Sequence, residues 1–402
     1  MHQNFLEAEL LQGGKVSIIK LVENIIEQAG SCRASDIHID PQNQNLRVRF
    51  RVDGVMQEFH AIPKNFHQEI ISRVKILAGM RTDEHQAAQD GRFRMLLLDG
   101  HSVDVRVSIT PTYHGENAVL RLLSDKAEDF SLQALGFSPG NCEKIQAAIK
   151  KPYGMILATG PTGTGKTTTL YTLLKELNTP EVSIVTIEDP IEYAMDGIEQ
   201  IQVNPRTSLT FANGLRSILR QDPNIIMVGE IRDNETAGLA VNTALTGHLV
   251  LSTLHTSDAA TTLPRLLDMK IESYLIASTV NAAIGQRLLR KVCPACKEQF
   301  KITAAQAKSL IKIFPLIKIE DNFYKGVGCE TCGQSGYSGR IGAHEVLTPG
   351  PEIREAVLRK KPAGDIRKLA ISLGMVTMLE DALTKAQSGL TTLEEVLRMH
   401  YE

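Results

Sequence analysis

MILATGPTGTGKTTTLYTLLKEL, residues 155–177, sets a short apolar run, a glycine-rich turn and a helix-forming run in succession. Within it, Gly160-Pro161-Thr162-Gly163-Thr164-Gly165-Lys166-Thr167 satisfies every fixed position of G-x-x-x-x-G-K-[ST]. It follows a strand-like run and opens a helical one, which is the context that motif requires. The residue types dictate the chemistry. Glycines let backbone N–H groups approach phosphate oxygens, and a helix N-terminus adds the positive end of its dipole. Lys166 is placed to reach the β- and γ-phosphates and the Thr167 hydroxyl to ligate Mg²⁺. Residues 160–168, Thr168 included, are therefore the expected site for ATP with Mg²⁺.

Outward from this loop, strand-like runs recur at 183–189 (SIVTIED), 224–230 (NIIMVGE) and 248–254 (HLVLSTL), with helical segments between them. Strands alternating with helices predict a parallel sheet covered on both faces. In such sheets ligands lie beyond the C-terminal strand ends. Two runs end there in acids: Glu188-Asp189, with Glu192 just beyond, and Glu230. Glu230 stands where a residue that orients or activates the attacking water is expected. Many P-loop proteins place an Mg²⁺-binding Asp one position earlier; here that position is Gly229, so a carboxylate from 188–192 would have to serve, unless these are ordinary loop acids. His248 and His255 bracket an apolar strand, and from spacing alone each reads as a satisfied structural histidine. Arg216 and Arg220, at i and i+4 on one helical face, read equally as phosphate sensors or as a solvated face.

Before residue 124 the pattern differs. Ile18, Leu21, Val22, Ile25 and Ile26 recur at helical spacing up to Gly30, which is expected to stop the helix. Leu46, Val48, Phe50 and Val52 alternate with Arg47, Arg49 and Arg51, as in a half-buried strand. Asp53-Gly54 and Asp99-Gly100 signal hairpins, and Phe66, Ile70, Val74 and Leu77 mark a helix face. The expected fold class is α/β: a RecA-like P-loop NTPase domain with a smaller α+β N-terminal domain and a tetracysteine insert. The expected bounds are 1–123 for the N-terminal domain, 124–149 for a linker and 150–402 for the ATPase domain. The last includes the cysteine subdomain at 291–344 and a helical tail at 351–402, whose final helix opens on a Thr392/Glu395 capping box.

Cys293-x-x-Cys296 and Cys329-x-x-Cys332 pair four thiols as tetrahedral Zn²⁺ requires, with no open position, so the site would be structural. A redox dithiol or free thiols are the other readings. Cys32 and Cys142 are isolated and read as buried fillers. Composition narrows the function classes. Lys plus Arg is 44 against 46 for Asp plus Glu, a net charge of −2, and aromatics are 5% with no Trp. A base-stacking or broadly basic nucleic-acid binder is disfavoured. The start, MHQNFLEAELLQGGK, carries Glu7 and Glu9 where a signal peptide has basic and apolar residues, and no run is apolar enough to span a membrane. A cytoplasmic protein is expected.

Taken together, ASDIHIDP, RFRVDGV, QDGRF, VDVRVS, GPTGTGKTTTLYTLL, TIEDPIEY, FANGLRSILRQDPNIIMVGEIRD, TGHLVLSTLHTSDA and GYSGRIGAHEV resemble the secretion-superfamily ATPases of type II secretion and type IV pilus assembly. The resemblance covers roughly residues 30–400 and implies a homohexamer that hydrolyses ATP with Mg²⁺ and carries structural Zn²⁺. It implies that Glu230 is the catalytic carboxylate, that Glu188 and Asp189 assist with Mg²⁺ and water, and that His248 and His255 sense the γ-phosphate region. Arg92 and Arg106 look like the family's N-domain arginines that swing onto the nucleotide, joined by Arg216 and Arg220. The implied partner is an inner-membrane platform protein, with peripheral membrane association through partners. Two departures stand out: the chain begins almost at the family's second N-terminal domain, and DEHQAAQDGR (83–92) replaces a more basic, Leu-Pro-containing stretch. A retraction ATPase is the near alternative, against which the cysteines argue. A DNA-uptake motor and a nucleotide-gated binding protein are more distant ones.

Overall fold

The structure, a computed structural model, describes residues 17–124, 131–314 and 317–401. It divides into two compact units between residues 128 and 129. The first begins with α1 (Ile18–Ser31), capped by the Ser17 hydroxyl, which accepts from the Lys20 N–H. Strands β1 (Ala34–Pro41), β2 (Asn45–Val52) and β3 (Val55–Pro63) follow, then α2 (His67–Leu77), β4 (Gln89–Leu96), β5 (Ser102–Thr112) and β6 (Gly115–Ser124). They form one antiparallel sheet in the order β3-β2-β1-β6-β5-β4. The core joins Leu21 and Ile25 of α1 and Ile70 and Val74 of α2 to Ile37, Val48, Val105 and Leu120 of the sheet.

Two expectations change here. Gly30 does not end α1, which runs to Ser31. Leu97 Cδ1 packs where a Cβ on Gly30 would lie, 2.8 Å away, so the glycine serves close approach. Cys32 is exposed at the helix end and is no core filler. The arginines of β2 are each matched by a carboxylate: Arg47–Glu58 at 3.2 Å, Arg49–Asp40 at 2.7 Å and Arg51–Asp36 at 3.4 Å. The stripe that looked basic in sequence is charge-compensated.

The second unit opens with α3 (Pro139–Ile149), β7 (Gly154–Thr159), α4 (Lys166–Leu177), β8 (Ile184–Glu188) and β9 (Glu199–Gln202). Next come α5 (Phe211–Ile218), β10 (Ile225–Val228), α6 (Asn234–Leu245), β11 (Leu249–Leu254), α7 (Ala259–Asp268) and α8 (Ser273–Thr279). Then follow β12 (Val280–Val292), β13 (Lys297–Lys301), α9 (Ala304–Ile313), β14 (Asn322–Gly326) and β15 (Tyr337–Leu347). Helices α10 (Pro351–Leu358), α11 (Ala363–Ser372), α12 (Met378–Gln387) and α13 (Leu393–Tyr401) close the chain. The sheet order is β15-β12-β7-β11-β10-β8-β9, parallel except for β15. β7, β8, β10 and β11 are buried along their whole length, and apolar helices cover both faces, as a parallel sheet demands.

The stretch expected as linker, 124–149, is no linker at its C-terminal end. Ser138 caps α3 with Pro139 at its first turn, and Leu132, Phe137, Cys142 and Ile145 pack into the sheet core. The capping box of α13 is half formed. The Thr392 hydroxyl accepts from Glu395 N–H at 3.2 Å, but the Glu395 carboxylate turns away to the Arg290 backbone N–H and guanidinium at 2.7–2.9 Å. A buried carboxylate takes a charged donor over a neutral one.

Candidate nucleotide site and tetracysteine centre

β7 ends at Thr159 and the chain turns through Gly160 (φ 148°), Gly163 (φ 79°) and Gly165 (φ 83°) into α4, with Thr167 and Thr168 in its first turn. Gly160 is required sterically: a Cβ there would meet the Gln286 carbonyl at 2.6 Å. Lys166 Nζ donates to the carbonyls of Gly160 (2.9 Å) and Pro161 (2.8 Å). Burial lowers its affinity for the proton, Glu230 opposes that shift, and Arg287 adds to it. The ammonium is thus held over the glycine-rich loop, and a lysine with backbone N–H groups at a helix N-terminus suits polyphosphate oxygens.

Glu230 follows β10 and is 9% exposed. Arg232 lies 2.6 Å from one of its oxygens and His255 Nε2 3.2 Å from the other. The Gly229 N–H donates to Ile187 C=O at 2.8 Å, and Thr253 Oγ1 donates to Gly229 C=O at 2.8 Å. A Cβ on Gly229 would stand 3.2 Å from the Ile187 oxygen. The departure from Asp at this position therefore goes with close packing of β8 and β10.

Glu188 is buried at the end of β8. Thr186 Oγ1 donates to it at 2.6 Å, Gln200 Nε2 at 3.2 Å, and the Tyr171 hydroxyl of α4 completes the set. Burial raises its pKa against these three donors. Both oxygens are engaged, so in this arrangement Glu188 ties β8 to the P-loop helix. Asp189 and Glu192 are exposed, and Asp189 lies within electrostatic reach of Arg232.

The two histidines part company. His255 joins Glu230, but His248 precedes β11 at the opposite sheet edge, where Gly154 N–H donates to its carbonyl and its Nδ1 meets Thr243 C=O at 3.1 Å. About 20 Å of extended strand separates them, so this chain's His248 is not at its own phosphate loop. Arg216 pairs with Glu235 at 2.5 Å and with Asn213, and Arg220 donates to Arg216 C=O and Ser217. Arg92 and Arg106 are direct cross-strand partners in the first unit, continuing a row through Arg121 to Asp36 and Arg51.

Sequence reasoning passed over Gln286. Its Nε2 donates to Thr164 C=O at 2.5 Å and its Oε1 accepts from Thr169 Oγ1 at 2.9 Å, so β12 clamps both sides of the phosphate loop. Gln286 is 1% exposed. Gln286→Ala would leave two buried polar groups unpaired, at about 1–3 kcal/mol each. A fall in thermal midpoint together with weaker nucleotide affinity is expected; an unchanged midpoint would show the clamp to be dispensable. Arg232 was likewise unmarked.

Cys293, Cys296, Cys329 and Cys332 bring their sulfurs within 4.8 Å of one another. The closest pairs are 3.9, 3.9 and 3.7 Å apart. Zn–S bonds of about 2.3 Å at tetrahedral angles require about 3.8 Å between sulfurs. The quartet fits that ion. Burial works to raise the Cys332 thiol, but the N–H groups of Cys329 and Gly336, with its sulfur neighbours, bring it down to about 6. Burial pushes Cys296 up to about 12.

A glycine-rich loop between a parallel strand and a helix, backed by an acid on a nearby strand, defines a P-loop nucleotide-binding domain. The chain belongs to the family described as Type II/IV secretion system protein, which it matches over residues 12–398. It is 47% identical over 385 residues to type II secretion system protein E of Xanthomonas campestris pv. campestris, covering 95% of this chain and 67% of that one. It is 46% identical over 383 residues to the type IV pilus assembly ATPase PilB of Thermus thermophilus, covering 94% of this chain and 42% of that one. It therefore spans less than half the length of the Thermus relative. Among solved structures, the Legionella pneumophila ATPase DotB matches with a TM-score of 0.69 at 23% identity over 95% of each chain. The pilus retraction motor PilT with bound ADP matches with 0.63 at 26% identity, over 94% of this chain and 96% of that one. Among the described residues no helix is long and apolar enough to cross a membrane.

Proposed function

We propose that this chain hydrolyses ATP with Mg²⁺ as a homohexameric motor that powers assembly of a type IV pilus or a type II secretion pseudopilus. The observation that carries the reading is the grouping of Glu230, His255 and Arg232 beside the ammonium of Lys166. Residues 160–168 would hold the triphosphate, and Thr167 would ligate Mg²⁺. Glu230 would orient and deprotonate the attacking water, and His255 would stand near the γ-phosphate. Asp189, exposed just beyond β8, and Glu188 beside it would assist with Mg²⁺ and water. Arg92 and Arg106 would bring positive charge to the nucleotide when the first unit moves, with Arg216 and Arg220 released from their present partners to join them. The motor would act in the cytoplasm on an inner-membrane platform protein.

The names of the relatives, type II secretion protein E and PilB at 46–47% identity, support assembly; the solved retraction motor PilT with bound ADP is 26% identical. The paired charges of β2 give no support to a nucleic-acid motor. The test is the ATPase rate per subunit against protein concentration, with mass measured in parallel. A rate that climbs as hexamers form is expected. A monomer equally active at every dilution would overturn the ring-coupled mechanism.

A further inference from the structure

Glu345 of β15 is buried, 1% exposed, and its two oxygens are spent on two helices. Oε1 accepts from the Ala259 N–H at 2.7 Å, and Oε2 from the Met378 N–H at 3.2 Å. These are the first residues of α7 and of α12. An anion between two helix N-termini is favourably placed for both. Gly285 of β12 makes the room, since a Cβ there would lie 2.9 Å from Glu345 Cγ.

The chain just before Ala259 is the loop that carries His255. Thr256 N–H donates to Thr159 Oγ1 at 3.1 Å, and Thr159 Oγ1 donates to Thr256 C=O at 3.1 Å. Thr159 is the last residue before Gly160. Thr256 Oγ1 donates to Asp258 C=O at 3.2 Å, and Asp258 caps α7 through the Thr261 N–H at 2.7 Å. Arg367 of α11 lies 3.5 Å from Asp258. A path of hydrogen bonds, carried across the Asp258–Ala259 peptide, thus runs from the base of the phosphate loop through Thr256 to Glu345 and on to α12.

We propose that Glu345 is a positioning residue that joins the His255–Asp258 loop to the N-terminus of α12, so that a change at the nucleotide site is felt by the C-terminal helices. The proposal rests on the reading of residues 160–168 and His255 as an ATP site. Its mechanical part stands on the hydrogen bonds alone. A carboxylate suits the position because both neighbours are donors. An amide would turn its NH₂ toward one of them and break one arm.

The test uses the full chain. Amide exchange over residues 377–383 is followed without nucleotide in the wild type, Thr256→Val, Glu345→Gln and the double variant. Thr256→Val is expected to quicken that exchange about threefold or more in the wild type and to add nothing once Glu345 is replaced, as contacting residues that share one network do. Equal factors in both backgrounds, or no response to Thr256→Val, overturn the link. Ala259→Pro gives a second route should Glu345→Gln fail to fold. Proline is tolerated at the first helical position, and Asp258 ahead of it is extended (φ −152°, ψ 172°), so the change removes the N–H and sets the ring Cδ against Glu345 Oε1, which must withdraw. It is expected to abolish the Thr256→Val response in the same way.

With MgATP, Glu345→Gln is expected to lower kcat about tenfold with KM within about twofold, the signature of lost positioning and not of lost binding. A passive anchor would lower the thermal midpoint and leave kcat per folded chain unchanged, which would overturn the proposal. A wild type that does not hydrolyse MgATP would overturn the ATPase reading instead, and the exchange cycle then decides the link by itself.

Discussion

Glu230→Gln is expected to lower ATP hydrolysis by about 10²–10⁴-fold while ATP still binds, the range typical of losing a positioned general base. Glutamine keeps the volume, so the packing at the end of β10 survives. It also keeps an oxygen for Arg232, now 2.6 Å from the carboxylate, or for His255 at 3.2 Å, though not with the charge that holds both. What it loses is the ability to take a proton from water. The phosphate loop itself owes nothing to Glu230 for its shape, because Gln286, Thr164 and Thr169 fix it. Binding should therefore persist, somewhat altered through Lys166, whose proton Glu230 helps retain. Single-turnover hydrolysis beside equilibrium binding separates the two effects. A variant that hydrolyses at the wild-type rate would remove Glu230 from the chemistry; one that no longer binds would make it a structural acid.

The phosphate loop was legible because its information is local: eight consecutive residues fix the glycines, the lysine and the helix start. Glu230 was legible for a related reason, standing at the end of an apolar run whose direction the alternation of strands and helices supplies. Gln286 was not. Its partner Thr164 lies 122 positions away, and nothing in the sequence near 286 states that β12 will pair beside β7. Glu345 is the same case, with one donor 86 and the other 33 residues distant.

His248 shows a different limit. The motif that brackets a strand with two histidines invites a shared role, yet a strand has two ends, and only His255 is on the side of the loop. In the N-terminal unit the arginine alternation of β2 was read correctly as a strand, while its charge partners, Asp36 and Asp40 on β1 and Glu58 on β3, needed the register. The stretch around the start of α3 misled because Gly136, Pro139 and Gly140 read as loop, whereas Pro139 and Gly140 open the helix and Phe137 stacks on the ring of His344 at 3.6 Å, holding the segment to the sheet.

Removing a Zn²⁺ held by the four cysteines is expected to have the second large effect, on folding and not on chemistry. The quartet stands where β12 ends and where β14 hands over to β15. Cys293 N–H donates to Gly336 C=O at 3.0 Å and Val327 N–H to Cys296 C=O at 3.1 Å, and Gly326 lies against Gly336 so closely that a Cβ on either would clash with the other's backbone. The end of β14 and the turn before β15 are thus pressed together beside the sulfurs, with the Gly336 N–H donating to Cys332 Sγ at 3.2 Å. Without an ion, burial and the mutual repulsion of thiolates work against that approach; with one, roughly 10–16 kcal/mol of apparent binding free energy at pH 7 favours it. Chelation, or Cys329→Ser, is expected to abolish a content of one zinc per chain and to expose amides 293–336 to exchange. Leu289, Phe323 and Ile341 share a separate core with Leu383 and Val396, so α12 and α13 should loosen next. The sheet core around Ile156, Leu251 and Met227 does not include these residues, and ATP binding should outlast the loss of zinc. A chain that contains no zinc, yet protects 293–336 as well as the metal-loaded form, would show that the sulfurs are held by packing alone.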